Sequence, residues 1–174
     1  VKAVQDGTLD EKILDENVDS ILDLIMKSKE SYKDDYECDM DKHHALARKI
    51  ASEGIVLLKN EDNILPLQKA QKVAVIGEMA KSPRYQGAGS SLINPIKLDS
   101  AYETMKEMGI NLSFSAGYSL KKKNKKYMQL IEEAKENAKN ADVAVVFVGL
   151  TDEYETEGND RSHIDIPPVH NQLV

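Results

Sequence analysis

Cysteine is almost missing from this sequence: its 174 residues hold one, Cys38, in a polar stretch. A single thiol builds no disulfide framework, and no His and Cys fall at metal-ligand spacing, so neither covalent staples nor structural zinc are expected. No apolar run approaches the roughly 20 residues that a membrane-spanning helix needs, so no membrane partner is expected. Positive charge is in deficit, with 23 Lys and Arg against 30 Asp and Glu for a net charge of -7, which sets the chain against nucleic acid and anionic lipid. The basic run "KKKNKK" at Lys121 to Lys126 has no interleaved aromatics and opens a helical stretch, so it reads as a solvated face. No internal repeat and no G-K-[ST] phosphate loop is present, which leaves soluble small molecules as ligands and no cofactor.

What is present is alternation. The apolar residues Ile13, Leu14, Val18, Ile21, Leu22 and Ile25 recur at helical spacing between Leu9 and Lys27. The stretch from Ser28 to Asp39 is polar and without period, as befits a connector, and a second helix is predicted over about Asp41 to Glu53, ending at Gly54. Short apolar runs follow at Lys72 to Gly77, Asn111 to Gly117 and Asp142 to Gly149, with helices predicted between them near Ser100 to Met108 and Tyr127 to Asn140. The first and third runs are continuously apolar, which suits strands buried on both faces of a parallel sheet. The predicted class is α/β: a mostly parallel sheet with flanking helices, preceded by a helix and a linker. Three strands are few for a covered sheet, and the chain opens on Val1 and closes at Val174 on a helix start, so it reads as a section of a longer polypeptide.

Two loops carry candidate chemistry. Gly87 and Gly89 follow the first strand in "YQGAGSS", but the third position of a dinucleotide fingerprint falls on Leu92, so that site is not expected. These residues and Ser90 and Ser91 form a loop at the carboxyl edge of the sheet, where open α/β sheets present ligands. The second loop, "GLTDEYETEGNDRSHIDIPP" from Gly149 to Pro168, holds six carboxylates. Glu153, Glu155, Glu157 and Gly158 imitate the opening of an EF-hand, but the twelfth position is Ile164 where that loop needs a bidentate Glu. Two readings stay open, a solvated or cation-binding loop and a catalytic one. In the second, a carboxylate crowded by neighbouring acids and covered by another domain has its pKa raised, as a general acid near neutral pH requires. Residue types alone do not choose among the six.

Taken together and in order, "HHALARKIASEGIVLLKNEDNILPL", "KVAVIG", "YQGAGSS" and "ETEGNDR" followed by "IPPVHNQLV" resemble the second domain of glycoside hydrolase family 3, the β-glucosidase family. "VLLKN" and "LPL" look like the start of that family's α/β sandwich domain. The resemblance implies that residues 1–28 are the last helical segment of a barrel domain, 29–40 the interdomain linker, and 41–174 the first part of the sandwich. No carbohydrate-binding insertion follows the glycine loop.

The resemblance further implies a retaining glycosidase acting on a β-glucoside or related oligosaccharide, in which a barrel supplies an Asp nucleophile and the sandwich supplies the acid/base. That acid/base falls on Glu157, immediately before the Gly of "EG-x-DR", with Glu155 as the near alternative. Ser90 and Ser91 would line the leaving-group subsite. A retaining mechanism holds its two carboxyl groups roughly 5 Å apart, so the two domains must close on each other. The barrel's Ser-Asp-Trp motif has no counterpart here, since Trp is absent, and the chain by itself is expected to be inactive. The alternative from a different class is a non-catalytic α/β ligand-binding or interaction module whose acidic loop binds a cation.

Overall fold

The computed structural model describes residues 1–121, 126–158 and 160–174. The solvated-face reading of the lysine run therefore lies largely outside the described residues. The chain forms two compact units, Val1–Ile55 and Val56–Val174.

The first unit is helical, with α1 over Lys2–Gln5, α2 over Glu11–Ser31 and α3 over Met40–Gly54. The Asp10 carboxylate accepts from the Lys12 amide at 3.0 Å, and Asp39 accepts from Lys42 at 3.0 Å, so both long helices start on a side-chain cap. Helix α2 runs to Ser31, four residues past its expected end, because loss of apolar period does not itself break a helix. The Ser31 hydroxyl donates to the Lys27 carbonyl at 3.0 Å, and the backbone turns extended only at Tyr32. The apolar stripe of α2 stays open, with Ile13 at 52% and Ile21 at 60% exposure.

The second unit is a three-stranded parallel sheet of order β2-β1-β3, with β1 over Val73–Ile76, β2 over Leu112–Ser115 and β3 over Val143–Val146. Helices α4 (Ala101–Glu107), α5 (Tyr127–Lys139) and α6 (Pro168–Leu173) complete it. The crossover from β1 to β2 and the crossover from β2 back past β1 to β3 travel in opposite directions. Right-handed connections then put α4 and α5 on opposite faces. The alternation of β1 divides accordingly: Val73 and Val75 pack with Ala80, Tyr102 and Met105, while Ala74 and Ile76 pack with Ala134, Ala138 and Leu173. Val73 and Val75 are fully buried, and each such side chain contributes about 1.5–3 kcal/mol.

Strand β3 departs from the expectation of burial on both faces. Its residues alternate between half-buried and exposed, because it lies at the sheet edge and, among the described residues, no further strand pairs with it. Apolar content records what a strand could bury; coverage depends on neighbours. A polar link also escapes the apolar pattern: Asn137 of α5 accepts from Ser113 at 2.6 Å and donates to Ser115 at 3.1 Å, tying that helix to β2.

At the carboxyl edge the chain leaves β1 toward the α4 face and leaves β3 toward α6, on the α5 face. Gly77, the first residue after β1, adopts φ +115°, and a Cβ there would lie 2.2 Å from the Phe147 carbonyl oxygen, so only glycine lets the two strand ends approach. Tyr118 ties three strand ends together: its hydroxyl donates to the Phe147 carbonyl at 2.7 Å and accepts from the Met79 amide at 3.3 Å. His170 of α6 stacks on Tyr118 with ring centroids 4.0 Å apart, and the Gly149 amide donates to its Nδ1 at 3.4 Å.

Removing the Tyr118 hydroxyl leaves a partly buried carbonyl and amide without that partner. Tyr118→Phe is expected to destabilise the fold by about 1–3 kcal/mol in denaturant unfolding. Burial pushes the His170 imidazole below its ordinary value. It therefore binds fewer protons folded than unfolded, so its contribution to stability is complete above about pH 6.5 and declines as pH falls from there toward the folded value. Thermal unfolding followed downward from pH 7 should show this decline, and His170→Gln should flatten it.

Candidate active site

The two loops singled out in the sequence meet at the crevice between the diverging ends of β1 and β3, the position at which open α/β sheets receive ligands. A short 3-10 turn, Gly89–Ser91, brings Ser90 against the acidic loop. The Ser90 amide donates to Glu157 Oε2 at 2.8 Å and the Ser90 hydroxyl donates to the same oxygen at 2.6 Å, across 67 residues of sequence. Gly158 takes φ +79° immediately after, so the backbone reverses at the glutamate. Gly149, at the start of this loop, takes no positive φ, and a Cβ there would meet the Met79 sulfur at 2.8 Å.

Within these residues the ionisation of Glu157 is set by Ser90 and not by the covering on which the expected raised pKa depended. The Ser90 hydroxyl, followed by the Ser90 amide, holds its carboxyl below the ordinary value. The side chain is exposed, so no burial penalty outweighs two donors aimed at the charged form. Ser91 turns the other way, its hydroxyl donating to the Ala88 carbonyl at 3.4 Å.

Two other acids of the loop, Asp152 and Glu155, are partnered by arginine. Arg84, three-quarters buried, places Nε 3.3 Å from Asp152 and Nη1 3.5 Å from Glu155 Oε2, and its Nη2 donates to the Glu155 carbonyl at 2.9 Å. Arg161 Nε lies 3.9 Å from the same Glu155 oxygen. Glu155 thus stands between two guanidinium groups, whereas Glu157 is held by a serine. Among the described residues no three His, Cys, Asp or Glu side chains gather to hold a metal ion. Arg84, Tyr118 and His170 had no role in the sequence reading, because their partners lie 21 to 71 residues away. The adjacency of Arg84 to the glycine loop was the one available signal.

Among the hollows formed on this edge by the described residues, two bear on the site. One of about 450 Å³ runs along Met79, Arg84, Tyr85, Leu92 and Leu150. The other, of about 270 Å³, is lined by Glu157 with Arg84, Glu155, Asp160 and Arg161. A carboxylate on a reversed loop, beside an apolar groove and a charged hollow, can exchange a proton with a small polar ligand held there.

This chain is similar to several known proteins. It is 49% identical to the thermostable beta-glucosidase B of Acetivibrio thermocellus, over all of this chain and 23% of that protein. It is 42% identical to the exo-alpha-(1->6)-L-arabinopyranosidase of Bifidobacterium longum, over 96% of this chain and 23% of that one. Among solved structures, the GH3 beta-glucosidase of Bifidobacterium adolescentis aligns over 99% of this chain and 25% of its own, with a TM-score of 0.89 and 41% identity. The beta-glucosidase 3B of Thermotoga neapolitana, solved with alpha-D-glucose, aligns over 99% and 27% with a TM-score of 0.77 and 27% identity. The chain thus spans about a quarter of the length of these relatives. Residues 55–174 match the glycosyl hydrolase family 3 C-terminal domain, and the chain belongs to that family.

Proposed function

We propose that this chain supplies the acid/base half of a retaining β-glycosidase site, with Glu157 as the acid/base and the nucleophilic Asp contributed by a barrel domain elsewhere in the polypeptide. The observation that carries it is the presentation of Glu157. It sits on a glycine-reversed loop at the switch point of the sheet, clamped by Ser90 and lining a charged hollow, in a chain of this family. The pairing of Glu155 with Arg84 and Arg161 supports Glu157 over that neighbour. On this reading the proton donor protonates the leaving oxygen while the nucleophile attacks the anomeric carbon, and the resulting carboxylate then activates water. Ser90 and Ser91 belong to the leaving-group side of the site. The raised pKa that a general acid needs would come from the barrel and substrate covering an otherwise exposed carboxyl. The exposed stripe of α2 is then surface for the barrel, the first 28 residues its last helical segment, and residues 29–40 the linker.

The substrate is a terminal β-glucoside or a related glycoside. Relatives named for different sugars match this region at 49% and 42% identity, which supports placing sugar choice in the barrel. By itself the chain lacks half of the carboxylate pair.

In the full-length enzyme, Glu157→Ala is expected to lower kcat/KM on a substrate with a poor leaving group by about 10²–10⁴-fold. With an aryl β-glucoside bearing an activated leaving group, azide should restore turnover and yield a β-glycosyl azide. Normal turnover by the variant would remove Glu157 from the role and turn the test to Glu155.

A further inference from the structure

The bonding at Glu157 is one-sided. Both donors of Ser90 converge on Oε2, at 2.8 and 2.6 Å. Gly89 makes this possible: with φ +84°, a Cβ there would lie 2.5 Å from that oxygen and 2.8 Å from Glu157 Cβ. The loop after β1 is therefore folded round the carboxylate, with one residue's amide and hydroxyl forming a two-pronged grip. Ser91 next to it takes no part.

We propose that Ser90 is a positioning residue for acid/base catalysis, holding Glu157 by Oε2 so that Oε1 is the oxygen that gives up and recovers the proton. The assignment rests on Glu157 being the acid/base. In the first half-reaction the Oε1–H bond breaks as the anomeric C–O bond breaks. The electron pair of that C–O bond stays on the leaving oxygen, which takes the proton. The carboxylate so formed is the form that the two Ser90 donors favour, so Ser90 assists proton donation. In the second half-reaction water gives a proton to Oε1 while its oxygen bonds the anomeric carbon, and the nucleophile's carboxylate recovers its electron pair.

Other charges act on the same hollow. Arg84 and Arg161 favour the ionised carboxyl, and Glu155 and Asp160 oppose it. Ser90 is separable from them because its hydroxyl can be removed without altering any charge. That hydroxyl is also the leading cause of the lowered Glu157 pKa.

The test uses the full-length enzyme and the pH profile of kcat/KM on an alkyl β-glucoside, whose leaving group needs protonation, beside a dinitrophenyl β-glucoside, whose leaving group does not. Ser90→Ala should move the alkaline limb for the alkyl substrate to higher pH and lower its kcat/KM about tenfold, a larger loss than for the dinitrophenyl substrate. Ser90→Cys, which keeps the shape and weakens the donor, should move the limb the same way, and Ser90→Thr, which keeps the hydroxyl, should return it. An unmoved alkaline limb in Ser90→Ala and Ser90→Cys proteins of wild-type Tm overturns the assignment. Glu157→Ala measured alongside separates the two claims. Azide rescue of that variant with an unmoved Ser90→Ala limb sinks the Ser90 role alone. Unimpaired turnover without rescue sinks the acid/base reading, and the Ser90 role with it.

Discussion

Complete burial of β1 is the constraint on which the second unit depends. Val73 to Ile76 pair in parallel on both edges and pack on both faces, leaving only Ile76 a slight contact with water. A strand in that position accepts only small or branched apolar side chains, and "VAVI" meets the demand with two valines toward α4 and the smaller-larger pair Ala74 and Ile76 toward α5. Because the flanking strands lie on opposite sides of β1, their crossovers are sent to opposite faces. The chain ends after β1 and β3 must then part company, and the crevice they leave follows from the topology before any functional residue is considered.

That crevice is closed by polar rather than apolar contacts. The hydroxyl of Tyr118 joins the ends of β1 and β3, and His170 backs it from α6. Above this layer the acidic loop is laid down by Arg84, which meets both a side chain and a backbone carbonyl of that loop. A planar guanidinium can serve several acceptors at once, which a lysine could not do with the same geometry. The density of negative charge in the loop thus has a structural component: Asp152 and Glu155 anchor it. Glu157 stands apart because its partner is uncharged and takes only one of its two oxygens.

If a second domain completes the site as proposed, the electrostatics of Glu157 have a physical account. An exposed carboxylate gripped by two donors is ionised more readily than a free one, and covering it reverses the balance by desolvation. The proton affinity of such a group is then set jointly by the loop that grips it and by whatever closes over it. The chain belongs to glycosyl hydrolase family 3 and spans about a quarter of the length of its relatives.

Much of this was legible in the residues. The three strands and helices α2 to α5 lie near where periodicity puts them, α2 running four residues past its expected end and α5 ending at Lys139 against an expected Asn140, because hydrophobic spacing is a local property of the chain. The acidic loop and the glycine loop were marked by composition, and the resemblance to a family singled out Glu157, Ser90 and Ser91. The open edge of β3, the ionisation of Glu157 and the parts played by Arg84, Tyr118 and His170 were not legible. Each depends on a neighbour far away in sequence or on one that is not there. Sequence by itself determined which segments become strands and helices and which loops carry charge. Only the tertiary structure decided that Ser90 and Glu157 touch across 67 residues and that the Ser90 donors hold the Glu157 carboxyl below its ordinary value, because proximity is a property of the folded arrangement.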